Sequence, residues 1–391
     1  MSLAKNVDFL RSLSKLNGFQ GLEAYGRGFA PAVDSPLVET TGFGSNPGAL
    51  KMLSFVPEHL RDGAPLVVVL HGCRQTAAAY DLGAGWSTLA KHYGFALLMP
   101  EQQMSNNSNS CFNWFSPEDT ARDSGEAASI REMIAHMVSD HNLDPRRISI
   151  TGLSAGGAMA SVMLATYPEV FAAGAIIAGL PFGTASNLRE ALNGMLQSPS
   201  RPAEELGDLV RQASRHKGPW PKVSVWHGSA DRTVNSGNAN EIVKQWLDVH
   251  GLPLAPMSVA DVNGYPRQVW WNADGETIVE SYTITDMAHG TPIGIADNDE
   301  RYGESGAFLI DAGISSSYHI AKFFGLTEGG RVPGEVVKEV AKPASTMASK
   351  EGAKPIPLPV RSGKPSRAPR RSGVDVSSVI TRALTAAGLM K

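Results

Sequence analysis

The sequence predicts an α/β fold with a mostly parallel central sheet flanked by helices. Residues 65–70 (PLVVVL) form a near-continuous aliphatic run, which is typical of a parallel strand buried on both faces. Similar apolar runs alternate with segments of helical periodicity along the chain, and this alternation indicates a parallel sheet. The 391 residues allow one large domain of about 250 to 300 residues with additional segments at its ends.

Local patterns predict the individual elements. Short apolar or β-branched runs bounded by turn residues predict strands at residues 50–56, 65–70, 96–100, 147–151, 170–178, 222–228, 256–262, 267–272 and 277–285. The hairpin signals Asn263-Gly264 and Asp274-Gly275 separate the last three strands. Helical spacing predicts helices at residues 86–93, 124–140, 158–165, 203–216, 240–250 and 315–324. Residues 101–121 form a long polar loop, and loops of this length inside a domain are usually functional.

Composition divides the chain into four parts. Residues 48–326 carry the predicted sheet and helices and form the main domain. Residues 1–47 are expected to form a short helix, with Val7, Leu10, Leu13 and Leu16 on one face, followed by a segment that wraps the surface. Residues 327–373 are rich in Pro, Lys and Ser, which predicts a disordered linker, and residues 374–391 have the spacing of a short amphipathic helix.

Charge is distributed unevenly along the chain. The formal net charge is -3, yet residues 327–391 hold 12 Lys and Arg against 5 Asp and Glu. The body is therefore acidic and the tail basic, so we expect the tail to contact an acidic surface, and we expect no nucleic-acid partner. No apolar stretch reaches 18 residues, so no transmembrane segment is predicted, and the first 20 residues lack the continuous apolar core of a Sec signal peptide.

The segment around Ser154 has the pattern of a nucleophile elbow. Gly152-Leu153-Ser154-Ala155-Gly156-Gly157 follows a predicted strand and precedes a predicted helix. In an elbow the serine occupies a strained turn, and glycines flank it because a Cβ there would collide with the neighbouring strand and helix. The pattern therefore predicts Ser154 as a catalytic nucleophile.

Two partners follow later strands in the order that α/β-hydrolases use. Asp231 comes after the predicted strand at 222–228, and His289 comes after the strand at 277–285. His289 would take the proton of Ser154 and return it to the leaving group, and Asp231 would hold the imidazole in the required tautomer. Backbone N–H groups of Cys73, just past the strand at 65–70, and of Ala155 are expected to form the oxyanion hole.

Other residues compete for these roles. Four histidines are alternatives to His289, of which two precede the glycines of tight turns and two fall in predicted helices: His71, His227, His250 and His319. Three further carboxylates are alternatives to Asp231: Asp261, Asp286 and Asp297.

Several separate motifs resemble the PHB depolymerase family of esterases. They are the segments at residues 70–73 (LHGC), 111–115 (CFNWF), 151–159 (TGLSAGGAM), 167–175 (YPEVFAAGA), 178–183 (AGLPFG), 226–231 (WHGSAD) and 288–290 (AHG). The family contains short-chain polyhydroxyalkanoate depolymerases together with feruloyl and acetylxylan esterases. The resemblance implies an α/β-hydrolase fold over about residues 48–325, ester hydrolysis by the triad above, and neither a metal nor an organic cofactor. It also implies an extracellular location, with a cytoplasmic location as the alternative.

The resemblance also implies roles for residues near the elbow. It places Cys73 and Cys111, the only cysteines, at the active site, and we hypothesise that they form a disulfide, with two free thiols as the alternative. Trp114, Phe112 and Phe182 are candidates for a flat apolar surface that binds substrate, and buried core aromatics are the alternative interpretation.

The favoured substrate is a short-chain polyhydroxyalkanoate such as poly(3-hydroxybutyrate). Feruloyl or acetylxylan esters are the first alternative. The triad alone also permits a peptidase or thioesterase. A scaffold or granule-surface protein that acts through its tail is the alternative from another functional class.

Overall fold

A computed structural model of the chain describes residues 35–294 and 302–328. Four sequence-based predictions fall outside these residues and stay predictions: the helix near the N-terminus, most of the linker, the C-terminal amphipathic helix, and a role for Asp297.

Within the described residues, the strands form one ten-stranded sheet and one two-stranded sheet. The strands are β1 (Val38–Thr40), β2 (Lys51–Phe55), β3 (Leu66–Leu70), β4 (Ala96–Glu101), β5 (Ile148–Leu153), β6 (Ala173–Ile177), β7 (Lys222–Gly228), β8 (Ser258–Val262), β9 (Tyr265–Trp271), β10 (Thr277–Ile284), β11 (Thr291–Ile293) and β12 (Leu309–Asp311). The helices are α1 (Ala77–Ala84), α2 (Trp86–Tyr93), α3 (Pro117–Thr120), α4 (Gly125–Asp140), α5 (Ala155–Thr166), α6 (Leu188–Gln197), α7 (Ala203–Gln212), α8 (Gly237–His250) and α9 (Ser316–Phe323).

The large sheet has the strand order β1-β2-β4-β3-β5-β6-β7-β10-β9-β8. Its six central strands, from β4 to β10, pair in parallel, whereas the two outer strands on each side pair antiparallel. Because parallel strands place their carboxyl ends at one edge, residues that follow β3, β5, β7 and β10 lie along the same edge of the sheet. The predicted α/β-hydrolase arrangement of a mostly parallel sheet is therefore confirmed.

The sheet is buried on both faces, which explains the aliphatic run of β3. Leu66, Val68 and Leu70 pack into one apolar cluster with side chains of α4, α5 and α8. Val67 and Val69, which point the other way, pack into a second cluster with side chains of α1, α2 and α9. Neither face of a central strand touches water. If polar and apolar residues alternated along such a strand, the polar side chains would be buried in the core without hydrogen-bond partners.

Most differences between predicted and observed elements are short. The predictions omitted α1, α3 and α6, and they omitted β11, β12 and the edge strand β1, which lies in the segment expected only to wrap the surface. The helix predicted at residues 203–216 ends at Gln212, and the strand predicted at 170–178 is confined to Ala173–Ile177.

Candidate active site

Ser154 lies between the end of β5 and the start of α5, in a backbone conformation that non-glycine residues rarely adopt. Its φ is 58° and its ψ is -118°. The turn is held by the backbone N–H of Ser154, which donates to Ile177 O at 2.9 Å, and by Ala158 N–H, which donates to Ser154 O at 2.9 Å. This geometry turns the chain sharply and presents the side chain at the carboxyl edge of the sheet.

The glycines around Ser154 are required by close backbone contacts. A Cβ on Gly152 would overlap the backbone of Gly156, and a Cβ on Gly156 would overlap the carbonyl groups of Leu70 and His71. A Cβ on Gly157 would lie 2.9 Å from the oxygens of Gly152 and Ile177. Helix α5 can therefore approach β3 and β5 only with glycine at these positions.

The structure brings together Ser154, His289 and Asp231 from three separate strand ends. His289 Nε2 lies 2.9 Å from Ser154 Oγ, and His289 Nδ1 lies 2.7 Å from Asp231 Oδ2. His289 is mostly buried and Asp231 is fully covered at its side chain. A serine hydroxyl, an imidazole and a carboxylate are thus joined by two hydrogen bonds of ordinary length, the arrangement that activates a serine nucleophile.

Asp231 is held in its ionised form by its neighbours. Its Oδ1 accepts from the backbone N–H groups of Thr233 and Val234 at 2.8 and 2.9 Å. Burial alone would raise the pKa of Asp231, but hydrogen bonds from His227 and His289 outweigh burial and hold that pKa well below its usual range. The carboxylate is therefore charged at neutral pH and can stabilise a protonated His289.

The two segments that carry Asp231 and His289 are bonded to each other. Ala230 N–H donates to Met287 O at 3.0 Å, and Asp286 N–H donates to Ser229 Oγ at 2.9 Å. A Cβ on Gly228 would overlap Met287 O. The close approach fixes the distance between the acid and the base, and the sequence gives no local signal for it, because its partners are almost sixty residues apart.

The segment after β3 has the geometry of an oxyanion loop. Gln75 N–H donates to Gly72 O at 3.2 Å, and Arg74 adopts a positive φ of 62°. Within the described residues, no acceptor bonds the backbone N–H of Cys73 or of Ala155. Both donors are therefore free to bind an oxyanion.

His71 holds the oxyanion loop in place by hydrogen bonds. It is fully buried, its Nδ1 lies 2.8 Å from Gly72 O, and its Nε2 lies 3.1 Å from Gln102 N. Since a carbonyl only accepts and an N–H only donates, Nδ1 carries the proton and Nε2 accepts. Burial lowers the pKa of His71, so its ring is neutral and ties the oxyanion loop to the start of the long loop.

A disulfide and a buried carboxyl group hold the long loop beside the oxyanion loop. Cys73 and Cys111 are bonded, with the two sulfurs 2.09 Å apart. Glu126, at the start of α4, accepts from Asn113 N at 2.9 Å, from Asn113 Nδ2 at 2.7 Å and from Gln102 Nε2. Burial, with a further contribution from Asp119, raises the pKa of Glu126 to about 8 in spite of these donors.

The aromatic residues proposed as a substrate surface differ in exposure. Phe112 has no exposed surface and packs on His71 with ring centroids 5.1 Å apart, which favours the alternative interpretation of Phe112 as a core aromatic. Trp114 is 9% exposed, and Phe182 is half-buried. Both stay candidates. Sequence reasoning missed Phe308, whose ring meets His289 edge-on at 5.9 Å.

Two of the competing histidines and two of the competing carboxylates have other partners or are exposed. His250 bonds Pro221 O at 3.0 Å, and His319 packs beside Trp226 and Tyr282. Asp261 is an exposed residue of β8 that accepts from Gly264 N–H. Asp286 is exposed, and its backbone rather than its side chain joins the site.

The described part of the chain shows neither a metal-binding cluster nor a membrane-spanning helix. Residues 35–294 and 302–328 contain no group of three or more His, Cys, Asp or Glu side chains arranged to hold a metal ion. In the same residues no helix combines the length and apolar character needed to cross a membrane.

A parallel sheet with a strained serine at an elbow, joined to a histidine and an aspartate at later strand ends, defines an α/β-hydrolase. Comparison with known proteins agrees with this class. The chain belongs to the family described as esterase PHB depolymerase, whose model matches residues 51–260. It is therefore a carboxylic ester hydrolase.

Relatives of the chain include a poly(3-hydroxyalkanoate) depolymerase, acetylxylan esterases and feruloyl esterases. The chain is 46% identical over 291 residues to poly(3-hydroxyalkanoate) depolymerase C of Paucimonas lemoignei, covering 74% of this chain and 70% of the relative. It is 33% identical over 272 residues to the acetylxylan esterase of Coprinopsis cinerea, covering 67% and 72%. The solved acetyl xylan esterase from Aspergillus awamori shares the fold, with a TM-score of 0.63, 24% identity, and coverage of 74% of this chain and 99% of that one.

Proposed function

We propose that the chain hydrolyses polyhydroxyalkanoate esters through the triad Ser154, His289 and Asp231. The observation that carries this proposal is the continuous hydrogen-bonded series from Ser154 Oγ through His289 to Asp231, which begins at a nucleophile elbow. A serine hydroxyl is a weak nucleophile at neutral pH, and this series supplies the base that it needs.

The geometry supports an acyl-enzyme mechanism. Ser154 Oγ attacks the ester carbonyl while His289 Nε2 takes its proton, and the charge on the carbonyl oxygen is stabilised by N–H groups of Cys73 and Ala155. Collapse of this intermediate breaks the ester bond as His289 protonates the departing alkoxide. A water molecule then attacks the acyl group and gives its proton to His289. His289 passes this proton to Ser154 Oγ as the carboxylic acid leaves, which restores the serine hydroxyl.

The substrate proposal rests on similarity. The relative at 46% identity carries the name of a poly(3-hydroxyalkanoate) depolymerase, whereas the acetylxylan relative is 33% identical. A hydroxybutyrate unit is short and aliphatic, which suits a site bordered by the half-buried ring of Phe308, whose centroid lies 5.9 Å from that of His289. Hydrolysis of acetylxylan or feruloyl esters is the second candidate.

We also propose that the protein acts in an oxidising, extracellular compartment. The disulfide between Cys73 and Cys111 supports this location, because such bonds persist outside the reducing cytosol. Detection of the oxidised protein in culture medium, with a cytosolic marker absent from the medium, would support export. Recovery of reduced protein in the cytosol alone would refute it.

Substitution of the nucleophile tests the triad. Ser154→Ala should reduce kcat on p-nitrophenyl butyrate by about 10⁴-fold or more, because the residual rate comes only from binding and the oxyanion donors. Circular dichroism should show an unchanged fold. Asp286→Asn is a matched control, because Asp286 is an exposed carboxylate near His289 that is not bonded to the triad, and it should keep kcat within about twofold. Substantial activity in purified Ser154→Ala would refute the triad.

A comparison of four substrates tests the specificity. We expect kcat/KM for hydroxybutyrate trimer to exceed that for methyl ferulate and acetylated xylan, with amorphous poly(3-hydroxybutyrate) degraded as well. Ser154→Ala serves as the blank in each assay. A far higher kcat/KM on ferulate or acetylxylan would reject the depolymerase proposal while leaving ester hydrolysis in place. A protein that binds polymer granules but turns over none of the four substrates would favour a scaffold.

A further inference from the structure

A second histidine contacts the carboxylate of the triad. His227 lies at the end of β7, four residues before Asp231, and is buried. Its Nε2 lies 2.9 Å from Val234 O and 3.2 Å from Asp231 Oδ2. That carboxylate oxygen is the one that also accepts from His289 Nδ1 at 2.7 Å.

The surroundings of His227 fix its proton. A backbone carbonyl only accepts hydrogen bonds, so Nε2, which faces Val234 O, must carry the hydrogen. Nδ1 is buried and has no partner among the described residues. A proton on Nδ1 would be a buried donor without an acceptor, which is unfavourable, so His227 is the neutral ring with hydrogen on Nε2.

We propose that His227 is a positioning residue of the triad, which donates to Asp231 Oδ2 and shares that oxygen with His289. This proposal rests on the proposed function, because it assigns His227 a role only through Asp231. The Oδ1 oxygen is already held by two backbone N–H groups. His227 therefore completes the fixation of the carboxylate and limits how much of its charge acts on His289.

The electrostatic partners of Asp231 are few. Among the residues that the structure describes, the side chains that contribute hydrogen bonds and charge interactions to it are His227 and His289, and its sequence neighbour Arg232 is exposed. Without the donor at position 227, the charge on Oδ2 acts on His289 alone. Protonated His289 is then favoured over a wider pH range, and the base is lost at higher pH than in the wild type.

The test compares two substitutions with opposite hydrogen-bonding ability. His227→Met fills a similar volume without a donor, whereas His227→Gln places an amide N–H near the position of Nε2. The rate at which a fluorophosphonate probe labels Ser154 is measured from pH 5 to 9 in each purified protein. The acid limb is the pH range over which the labelling rate falls as the pH is lowered. We expect the acid limb of His227→Met to lie about one pH unit higher than that of the wild type. The acid limb of His227→Gln should match that of the wild type.

The outcomes separate this proposal from the function on which it depends. A wild type that is folded but not labelled at Ser154 would overturn both. If the wild type is labelled and the acid limb of His227→Met is not shifted, only the role of His227 is overturned. Such a result would mean that His227 merely fills space and does not affect the pH dependence of labelling. Thermal melting verifies folding. If His227→Met does not fold, His227→Asn replaces it, because its amide reaches only the position of Nδ1 and cannot contact Asp231.

Discussion

The two sides of the active site are fixed by different kinds of contact. The triad side, formed by residues 228–231 after β7 and 286–290 after β10, is joined by backbone hydrogen bonds and a close approach at Gly228. The oxyanion side, formed by residues 71–75 after β3 and 101–116 after β4, is joined by a disulfide and by side chains around Glu126. Backbone contacts carry no titratable or redox-active group. We therefore expect reductant, and pH through Glu126, to change the stability of the oxyanion side, and the backbone contacts that join the two segments of the triad side to be insensitive to both.

Removal of the disulfide should have the largest effect on stability. The double variant Cys73→Ala/Cys111→Ala should lower the free energy of unfolding by about 4 kcal/mol, because the bond closes a loop with a sequence separation of 38. Guanidinium titration measures this loss. The kcat on p-nitrophenyl butyrate should also fall, since the bond ties the Cys73 donor to the long loop.

Intact mass measurement provides the control for this experiment. Alkylation of the unfolded wild type should add no groups before reduction and two groups after reduction. Two alkyl groups added before reduction would contradict the disulfide. The contacts of Glu126 alone would then have to hold the oxyanion side together.

A methyl group at Gly228 should disrupt the triad side. Gly228→Ala would place a Cβ against Met287 O, and we expect a loss of about 3 kcal/mol with reduced kcat. Gly194→Ala in α6 is the matched control, because its nearest neighbour would lie 3.4 Å away and alanine favours a helix. Denaturant unfolding of both variants measures the difference. Equal stability of the two variants would show that the contact with Met287 is not what limits position 228.

Glu126 should make stability depend on pH. Its pKa is raised from 4.5 to about 8, so between these values the folded protein binds a proton that the unfolded chain has lost. Stability from this group is therefore present at low pH and is lost as pH rises toward 8, by up to about 1.4 kcal/mol per pH unit. Compared with the wild type, Glu126→Gln should show a flatter decline in unfolding free energy from pH 5 to 8.

Glu204→Gln supplies the control for this measurement. Glu204 is an exposed carboxylate of α7, so its substitution should leave the pH dependence of the wild type unchanged. Identical slopes for the wild type and Glu126→Gln would mean that Glu126 does not govern the pH response of the oxyanion side.

The parts of the fold that could be predicted depend on local patterns. The buried strand at 65–70 and the glycines around Ser154 are visible in sequence, because burial on both faces and close backbone approach restrict residue choice locally. Helix α1 was missed because small residues and Gly83 interrupt its apolar stripe. Helix α6 could have been found, since Asn187 caps it by accepting from Glu190 N–H and that spacing is a helix-start signal.

Long-range contacts explain what sequence could not predict in the site. The order of Ser154, Asp231 and His289 along the chain indicates the triad, but nothing local reveals that Glu126 holds Asn113 or that Phe308 meets His289. Phe112 illustrates the same limit for aromatic rings. Its neighbour Trp114 in the same motif retains some exposure, and only the packing on His71 distinguishes them.

The backbone angles of Ser154 place stability and activity in opposition. A non-glycine residue at φ 58° and ψ -118° costs the folded state about 1 to 3 kcal/mol. Glycine would relieve that cost, yet it lacks the hydroxyl of the proposed nucleophile. Selection for thermal stability alone would therefore favour loss of the reactive group at this position, so directed evolution of a more heat-resistant variant must screen for turnover in every round.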